Sequence, residues 1–487
     1  MSRLESSRGQ GGGRGSRGAG ALVGLLLGAG MVLWGWGYTV DDALITARVA
    51  ANLSAGLGYR VNPSGELVDA VTPLGYAHLL ALAKPASALE ALQIARTAGA
   101  AAWLVTMAWL GAWLARFGAR GLGWLALFAL VPCAGAWASS GMETPWACLL
   151  VALGAALMLD FAGDFGGLAG HWGLGPRLVR CLPGALALGV AAAWRPELLP
   201  AVLVLWLGAA GLLPAWRWRL LLLAVGLLPS ALVIAARLIW FEGPAPLSSL
   251  AKPSDLPHGL RYALGGWILS GYLCVVAPWG LGRLSYAGRV AAAALGAHAV
   301  SLVLVGGDWM ALFRLYVPVL PLAARVAAEL AWRTHWGSQL ARGALVLTAA
   351  GLMQWHSGAS ARHVMADRER LIEAATPHLT GRRVAALDVG WVLATGAEVI
   401  DLAGVTDPRI AELPGGHTSK QIDPHLLERR RAEAVVLLHE PGAELPARQV
   451  ERRLLRELTE LKGAERVTLP LGKGGQTYII HTIQPDL

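Results

Sequence analysis

The stretch that decides the fold runs from residue 20 to residue 48: GALVGLLLGAGMVLWGWG (20–37) followed by YTVDDALITAR (38–48). The first part is an uncharged apolar run of the length needed to cross a bilayer. The second opens with two adjacent carboxylates, Asp41 and Asp42, which are costly against lipid and so belong in water or a polar cavity. Upstream, residues 1–19 carry four arginines, one glutamate and many Gly and Ser residues. Such a segment cannot bury enough apolar surface to fold. Its charge holds it in the cytoplasm, so the first span runs outward and places 38–72 in a first outer loop.

Working outward, further apolar runs lie near 73–83, 97–115, 121–138, 144–159, 181–194, 197–213, 219–240, 263–281, 290–305, 315–331 and 343–356. Several short connections are basic: Arg116/Arg120, Arg177/Arg180, Arg217/Arg219, Arg283/Arg289 and Arg333/Arg342. Placing these inside satisfies the positive-inside rule. The 73–83 run is short for a span, and Trp194-Arg195-Pro196-Glu197 interrupts another. The expected count is therefore about eleven crossings, with the C-terminal tail outside.

The composition breaks near residue 356. Residues 1–356 hold 38 charged residues and the remaining 131 hold 35, so only the tail reads as water-soluble. Lys and Arg exceed Asp and Glu by 24 to 14 in the first part, against 17 to 18 in the tail. The basic excess thus sits in the apolar part, which fits loops between spans and argues against nucleic acid as a partner. Of 21 tryptophans, 20 precede residue 357, many at the ends of apolar runs where an amphipathic ring favours the headgroup zone. The four cysteines have no metal-type spacing and read as small buried apolar residues.

The sequence thus predicts a polytopic α-helical membrane protein with a C-terminal soluble α/β domain. Its parts are a basic cytoplasmic tail (1–19), a transmembrane domain (20–356) and an extracytoplasmic domain (357–487). In the last, runs at 384–389, 398–402, 434–439, 466–469 and 477–480 read as strands, with helical patterns at 361–376, 424–433 and 446–461. This tail shows no phosphate-binding glycine loop and no nucleophile elbow.

Candidate chemistry starts with the aspartate pair. Adjacent carboxylates in a low-dielectric site do not both ionise easily, which suits a general base with a supporting partner. The structural alternative is a capping box, since Thr39 and Asp42 have its spacing. The helix that follows, with Leu44, Ile45, Val49 and Leu53 against Arg48 and Asn52, reads as interfacial. Asn62-Pro63-Ser64-Gly65 is a turn signature, predicting two short strands over the membrane surface that carry Glu66 and Asp69 near the pair. Four polar islands interrupt the apolar part: Glu143 at the mouth of a span, Arg195 with Glu197, the loop carrying Lys252 and then Arg261, and Asp308-Trp309 with Arg314. Each is either a site or a structural ion pair. Lys252, Arg261 and Arg314 suit a phosphate, with arginine capable of a bidentate grip.

The order of these motifs carries a resemblance. Asp41-Asp42-Ala-Leu-Ile-Thr-Ala-Arg48, Asn52, Gly56-Leu-Gly58-Tyr, Asn62-Pro63, Val68-Asp69 and Thr72-Pro73 resemble the first-loop signature of GT-C-type membrane glycosyltransferases. Within that class they are similar to those of mycobacterial terminal arabinofuranosyltransferases. Gly141-Met-Glu143-Thr-Pro145, Arg195-Pro-Glu197, Gly306-Gly-Asp308-Trp309-Met310 with Arg314, and Ile400-Asp401-Leu-Ala-Gly404-Val-Thr406-Asp407-Pro408 with Gly416-His417 follow in the family's order. The resemblance implies an inverting enzyme of the outer face of the plasma membrane. Its donor would be a polyprenyl-phosphate sugar, arabinofuranose or a hexose such as mannose, and its acceptor an envelope glycan or glycolipid. One first-loop aspartate would be the base, with Asp41 ranked ahead of Asp42. Arg48, Glu66, Asp69, Glu143, Arg195, Glu197, Lys252, Arg261, Asp308, Trp309, Arg314 and His417 would bind substrate. No cofactor is assigned, and paired carboxylates also suit a divalent cation such as Mg2+ or Mn2+. The rivals are a flippase or transporter for lipid-linked sugars and a non-catalytic envelope scaffold.

Overall fold

A computed structural model describes residues 14–164, 174–276, 280–423, 425–460, 465–470 and 476–483. The chain forms two compact units. The first comprises Met1–Trp36, Thr97–Val233 and Ser254–Arg362, and the second Gly37–Arg96, Ile234–Pro253 and His363–Leu487. The division differs from a simple cut at 357: the first outer segment and the loop carrying Lys252 belong with the tail.

Apolar runs become helices, as uninterrupted Leu, Ala and Val sequences dictate when backbone polar groups must be satisfied internally. Five described helices are long and apolar enough to cross a membrane: Gly15–Gly35, Ala88–Ala129, Trp216–Phe241, Tyr286–Leu304 and Arg314–Arg333. Three shorter apolar helices, Thr144–Asp160, Cys181–Trp194 and Pro196–Ala210, accompany them. They mark a membrane-embedded protein. The runs at 97–115 and 121–138 do not map onto separate straight rods. The first and the start of the second fall in one stretch of 42 residues, Ala88–Ala129, interrupted by a 3-10 turn at Ala115–Phe117 and by Gly118 at φ +61, while the rest of the second forms the separate helix Pro132–Ala138. Within the first unit, the Gly15–Gly35 helix approaches its neighbour through small residues: a Cβ on Gly24 would collide with the backbone of Met107. Small residues at such crossings let helix backbones pack closely in lipid.

The second unit is built on a five-stranded sheet: β1 (Arg383–Ala386), β2 (Glu398–Asp401), β3 (Ala434–His439), β4 (Glu465–Pro470) and β5 (Thr477–Thr482). The strand order is β2-β1-β3-β5-β4. β1 runs parallel to β2 and β3, while β5 is antiparallel to both β3 and β4. All six residues of β3 are buried, matching its central place and its uninterrupted Ala-Val-Val-Leu-Leu sequence. The helix Val364–Leu379 precedes the sheet, Val389–Ala394 joins β1 to β2, and Gln449–Glu460 joins β3 to β4. The helical pattern at 424–433 shrinks to Leu426–Arg429.

Three local expectations are corrected. The helix Asp41–Ser54 is not interfacial: nine of its 14 residues are buried, and it packs against Tyr76–Ala81 and Val389–Ala394. Its small residues Ala43, Ala47, Ala50 and Ala51 permit that enclosure on several sides. The N-cap position belongs to Val40 rather than Thr39, and both aspartates enter the first turn. Carboxylates there complement the helix dipole without a side-chain cap. Finally, 58–72 forms turns and bends but no strands among the described residues. Asn62 instead bonds through its amide to both backbone groups of Val399, at 2.9 and 2.8 Å. The loop thus satisfies its polar groups on β2 rather than on itself.

Candidate functional site

The second unit brings ionisable groups from three chain segments together. Asp41 begins the Asp41–Ser54 helix, and its two carboxylate oxygens accept from the backbone N–H of Gly390 (2.6 Å) and of Trp391 (3.0 Å). These are first-turn donors of Val389–Ala394, so Asp41 caps a helix some 350 positions further along the chain. Only glycine fits at 390, since a Cβ there would collide with the backbone oxygen of Asp41. Desolvation pushes the Asp41 carboxyl up to about 6, opposed by the nearby Arg368 guanidinium and reinforced by Asp388.

Asp388 is the N-cap residue of the same helix and the centre of a charged knot. Its oxygens accept from Arg448 at 3.0 and 2.8 Å and from the Tyr478 hydroxyl. Desolvation works to raise its pKa, but Arg448 and Arg368 outweigh that and hold it below the usual carboxylate range. Arg448 also reaches Glu451 at 3.3 Å. Burial pushes the Glu451 carboxyl up to about 7, against the pull of Arg448.

Asp42 is placed differently. Its side chain keeps 30% of its surface exposed, and its Oδ2 lies 3.8 Å from Nζ of Lys252, itself 24% exposed. Lys252 ends the short helix Leu247–Ala251, which packs on Pro408–Ala411 of the tail. His417 completes the group. Burial pulls its pKa down to about 4, helped by the neighbouring charges of Lys252 and Arg448 and opposed by Asp42 and Asp388. It is therefore a neutral imidazole at pH 7. A half-exposed carboxylate, an ammonium and a neutral imidazole form a set able to accept a proton and to face developing negative charge.

The other sequence-picked residues of this unit lie away from this group. Asp69 is buried against Arg237 (2.7 Å), which also donates to the Thr72 carbonyl at 2.5 Å. Arg48 donates to the carbonyl of Val61 at 3.2 Å, tying the loop to its helix. Glu66 is exposed and lines a separate cavity with the tail's arginines. In the Ile400–Pro408 motif, Asp401 accepts from Ala403 N (2.7 Å), Thr406 N (2.6 Å) and the Thr406 hydroxyl (3.0 Å), shaping the turn after β2.

In the first unit the polar islands resolve into closed pairs. Arg195 lies 2.7 Å from Glu143 and 3.4 Å from Glu197, and Arg314 lies 2.9 Å from Asp308. Trp309 stacks on His258 with ring centres 3.9 Å apart, and the His258 ring nitrogen reaches the Asp308 carbonyl at 3.1 Å. Arg261 is exposed.

Arg368, Asp388, Arg448 and Tyr478 escaped the sequence reading. Two signals were present: Asp388-Val-Gly390-Trp391 has the form of an N-cap ahead of a helix, and Trp391 is the single tryptophan of the tail. A divalent cation does not fit this donor set. Both Asp41 oxygens are taken by backbone donors, Asp388 is held by an arginine and a tyrosine, and an ammonium faces Asp42. Among the described residues no group of three or more His, Cys, Asp and Glu side chains is arranged to hold a metal. In comparisons with protein-family models, curated proteins and solved structures, nothing matches the chain.

Proposed function

We propose that the protein is an inverting GT-C-type glycosyltransferase that moves a sugar, arabinofuranose or a hexose, from a polyprenyl phosphate to an envelope glycan or glycolipid. In this reading it acts at the outer face of the plasma membrane, with about eleven crossings, a cytoplasmic N-terminus and an outward tail. The ordered motifs motivate the reading, and the apolar helices are compatible with it. The observation that carries it is the half-exposed Asp42, with Lys252 at 3.8 Å and neutral His417 beside them.

The chemistry follows from that set. Asp42 takes the proton of the acceptor hydroxyl as its oxygen attacks the anomeric carbon. The bond from that carbon to the lipid phosphate breaks, the phosphate leaves with the electron pair, and a single displacement inverts the centre. Lys252 supplies a cation for developing negative charge. Asp41 acts through structure, joining the Asp41–Ser54 helix to Val389–Ala394 and so fixing where Asp42 sits. This reverses the order in which the sequence ranks the two aspartates. The test is transfer from radiolabelled polyprenyl-phosphate arabinose, and separately mannose, to a panel of glycans by purified protein in nanodiscs. Product from one donor, lost in Asp42→Asn, supports the enzyme. Donor binding with no turnover for any acceptor would favour a flippase.

A further inference from the structure

A second cavity of the second unit takes no part in that chemistry. It measures about 470 Å3 and is walled by the 61–68 loop and by the tail around β2 and 429–431. That volume falls in the range of small-ligand sites. Its charge is uneven: five arginines (383, 409, 429, 430 and 431) face three carboxylates (Glu66, Glu398 and Asp407). The cavity has no aromatic lining, and its neutral polar groups include Asn62, Ser64 and Thr406.

The walls are held in advance of any ligand. The Asn62 amide is bonded to both backbone groups of Val399, and Ser64 donates to Glu398 at 2.5 Å. Arg430 is fixed by Asp407 at 2.8 Å, Arg429 by Asp423 at 3.0 Å, and Arg383 spans to the Arg430 carbonyl at 3.2 Å. Arg409 and Arg431, by contrast, have no carboxylate within ion-pairing distance among the described residues. Arg431 also sits at φ +52, just past the helix Leu426–Arg429, where glycine is the usual occupant. An L side chain is disfavoured there, because its Cβ crowds the following carbonyl oxygen. The turn is closed by Arg431 N to the Glu428 carbonyl (2.9 Å) and Ala432 N to the Leu427 carbonyl (2.8 Å). The chain thus keeps an arginine in a conformation that disfavours it, at the edge of a cavity already rich in guanidinium groups.

We infer that this cavity binds a soluble sugar carrying an oxyanion, a phosphate or a carboxylate. Arg409 and Arg431 hold the anion, while the second N–H of the Asn62 amide and the acceptor lone pairs left on the Ser64 and Thr406 hydroxyls meet the sugar's hydroxyls. Guanidinium forks match phosphate and carboxylate geometry, and a polar lining without aromatic rings suits a hydroxylated ligand better than a lipid chain. The inference is independent of glycosyl transfer, because its test reads binding alone.

The test uses the full chain in phosphatidylcholine nanodiscs and isothermal titration with a hexose monophosphate, a hexuronate, inorganic phosphate and neutral glucose. The hexose monophosphate is expected to bind most tightly, with affinity falling as NaCl rises. The hexuronate should follow, then inorganic phosphate, with no binding of glucose. Arg409→Ala/Arg431→Ala is expected to weaken the monophosphate by about tenfold or more, as the loss of charge-assisted hydrogen bonds implies. Both side chains are at the surface, so the variant should melt as the wild type does. Arg370→Ala, an exposed arginine outside the cavity, should leave binding within about twofold. Equal binding of glucose, an unaffected double variant, an equal loss in Arg370→Ala, or no binding of any probe would each overturn the assignment. Suppression of monophosphate binding in discs containing phosphatidylglycerol would assign the anion to a lipid headgroup and overturn the soluble sugar.

Discussion

The two units treat ionisable residues in opposite ways. In the first, the charges of the polar islands lie in buried ion pairs: the Arg195 side chain is 4% exposed and that of Glu143 1%, at 2.7 Å. Arg325 and Glu329 are likewise buried, at 2.6 Å. In the second unit a similar supply of charge is only partly closed. Asp41, Asp388, Arg448 and Tyr478 form a saturated knot, while Asp42 and Lys252 stand 3.8 Å apart in contact with solvent. A buried pair holds its members in place, because removing either one strands the other. A half-open pair gives little to stability. Ionisable character alone therefore does not mark a site; incomplete pairing does.

The largest expected effect breaks the first side of this contrast. Arg195→Ala leaves Glu143 and Glu197 without their shared cation, and a loss of about 3–5 kcal/mol is expected for a broken buried pair. A thermal melt in detergent should show it, and a change below the resolution of the melt would remove the distinction drawn here. Next comes Asp388→Asn, which removes the charge gripped by Arg448 and Tyr478. The knot should loosen by about 2–3 kcal/mol, the scale of hydrogen bonds to a charged group. Faster amide exchange across 389–394 is the local readout.

The knot also sharpens the comparison through pH. The folded pKa of Glu451, about 7, lies above its ordinary value of 4.5. Its contribution is therefore most favourable below pH 4.5, declines as pH rises, and is fully unfavourable above 7. Glu451→Gln removes that penalty, so its advantage over wild type should be larger at pH 8 than at pH 5. His417 acts oppositely: its folded pKa of about 4 lies below 6.5, so stability is lost as pH falls from 6.5 toward 4. The variant isolates the carboxylate because His417 is common to both proteins. An equal difference at the two pH values would contradict the burial of Glu451. The smallest stability effect belongs to the open pair, since Lys252→Ala should shift the melt by no more than about 1 kcal/mol.

Much of this architecture was legible from local pattern. The five tail strands lie where β-branched and aliphatic runs predict them, within one or two residues at most ends, because β3 and its neighbours are short buried runs bounded by charged segments. The apolar helices follow from runs of Leu, Ala and Val for the same reason. The aspartate pair, Lys252 and His417 stand out in the sequence as polar residues in unusual places, and the second unit brings Asp42, Lys252 and His417 close together. Their different surroundings were not legible, since these depend on partners distant in sequence. Asp41 is committed by the N–H groups of Gly390 and Trp391, and Asp388 by Arg448, 60 positions away, and Tyr478, 90 away. The first loop misled for a related reason: Asn62-Pro63-Ser64-Gly65 does turn, but Asn62 spends its amide on Val399 instead of supporting a hairpin.

The central claim is that the exposed aspartate works and the capped one holds. The most direct measurement compares Asp42→Asn and Asp41→Asn in one transfer assay with polyprenyl-phosphate arabinose and mannose, alongside melts of both variants. Asp42→Asn should lose transfer by about a thousandfold, the scale of general-base removal, with an unchanged melt. Asp41→Asn should melt lower and keep transfer within about tenfold once folded protein is matched. Full transfer by Asp42→Asn, with loss confined to a stably folded Asp41→Asn, would contradict the account.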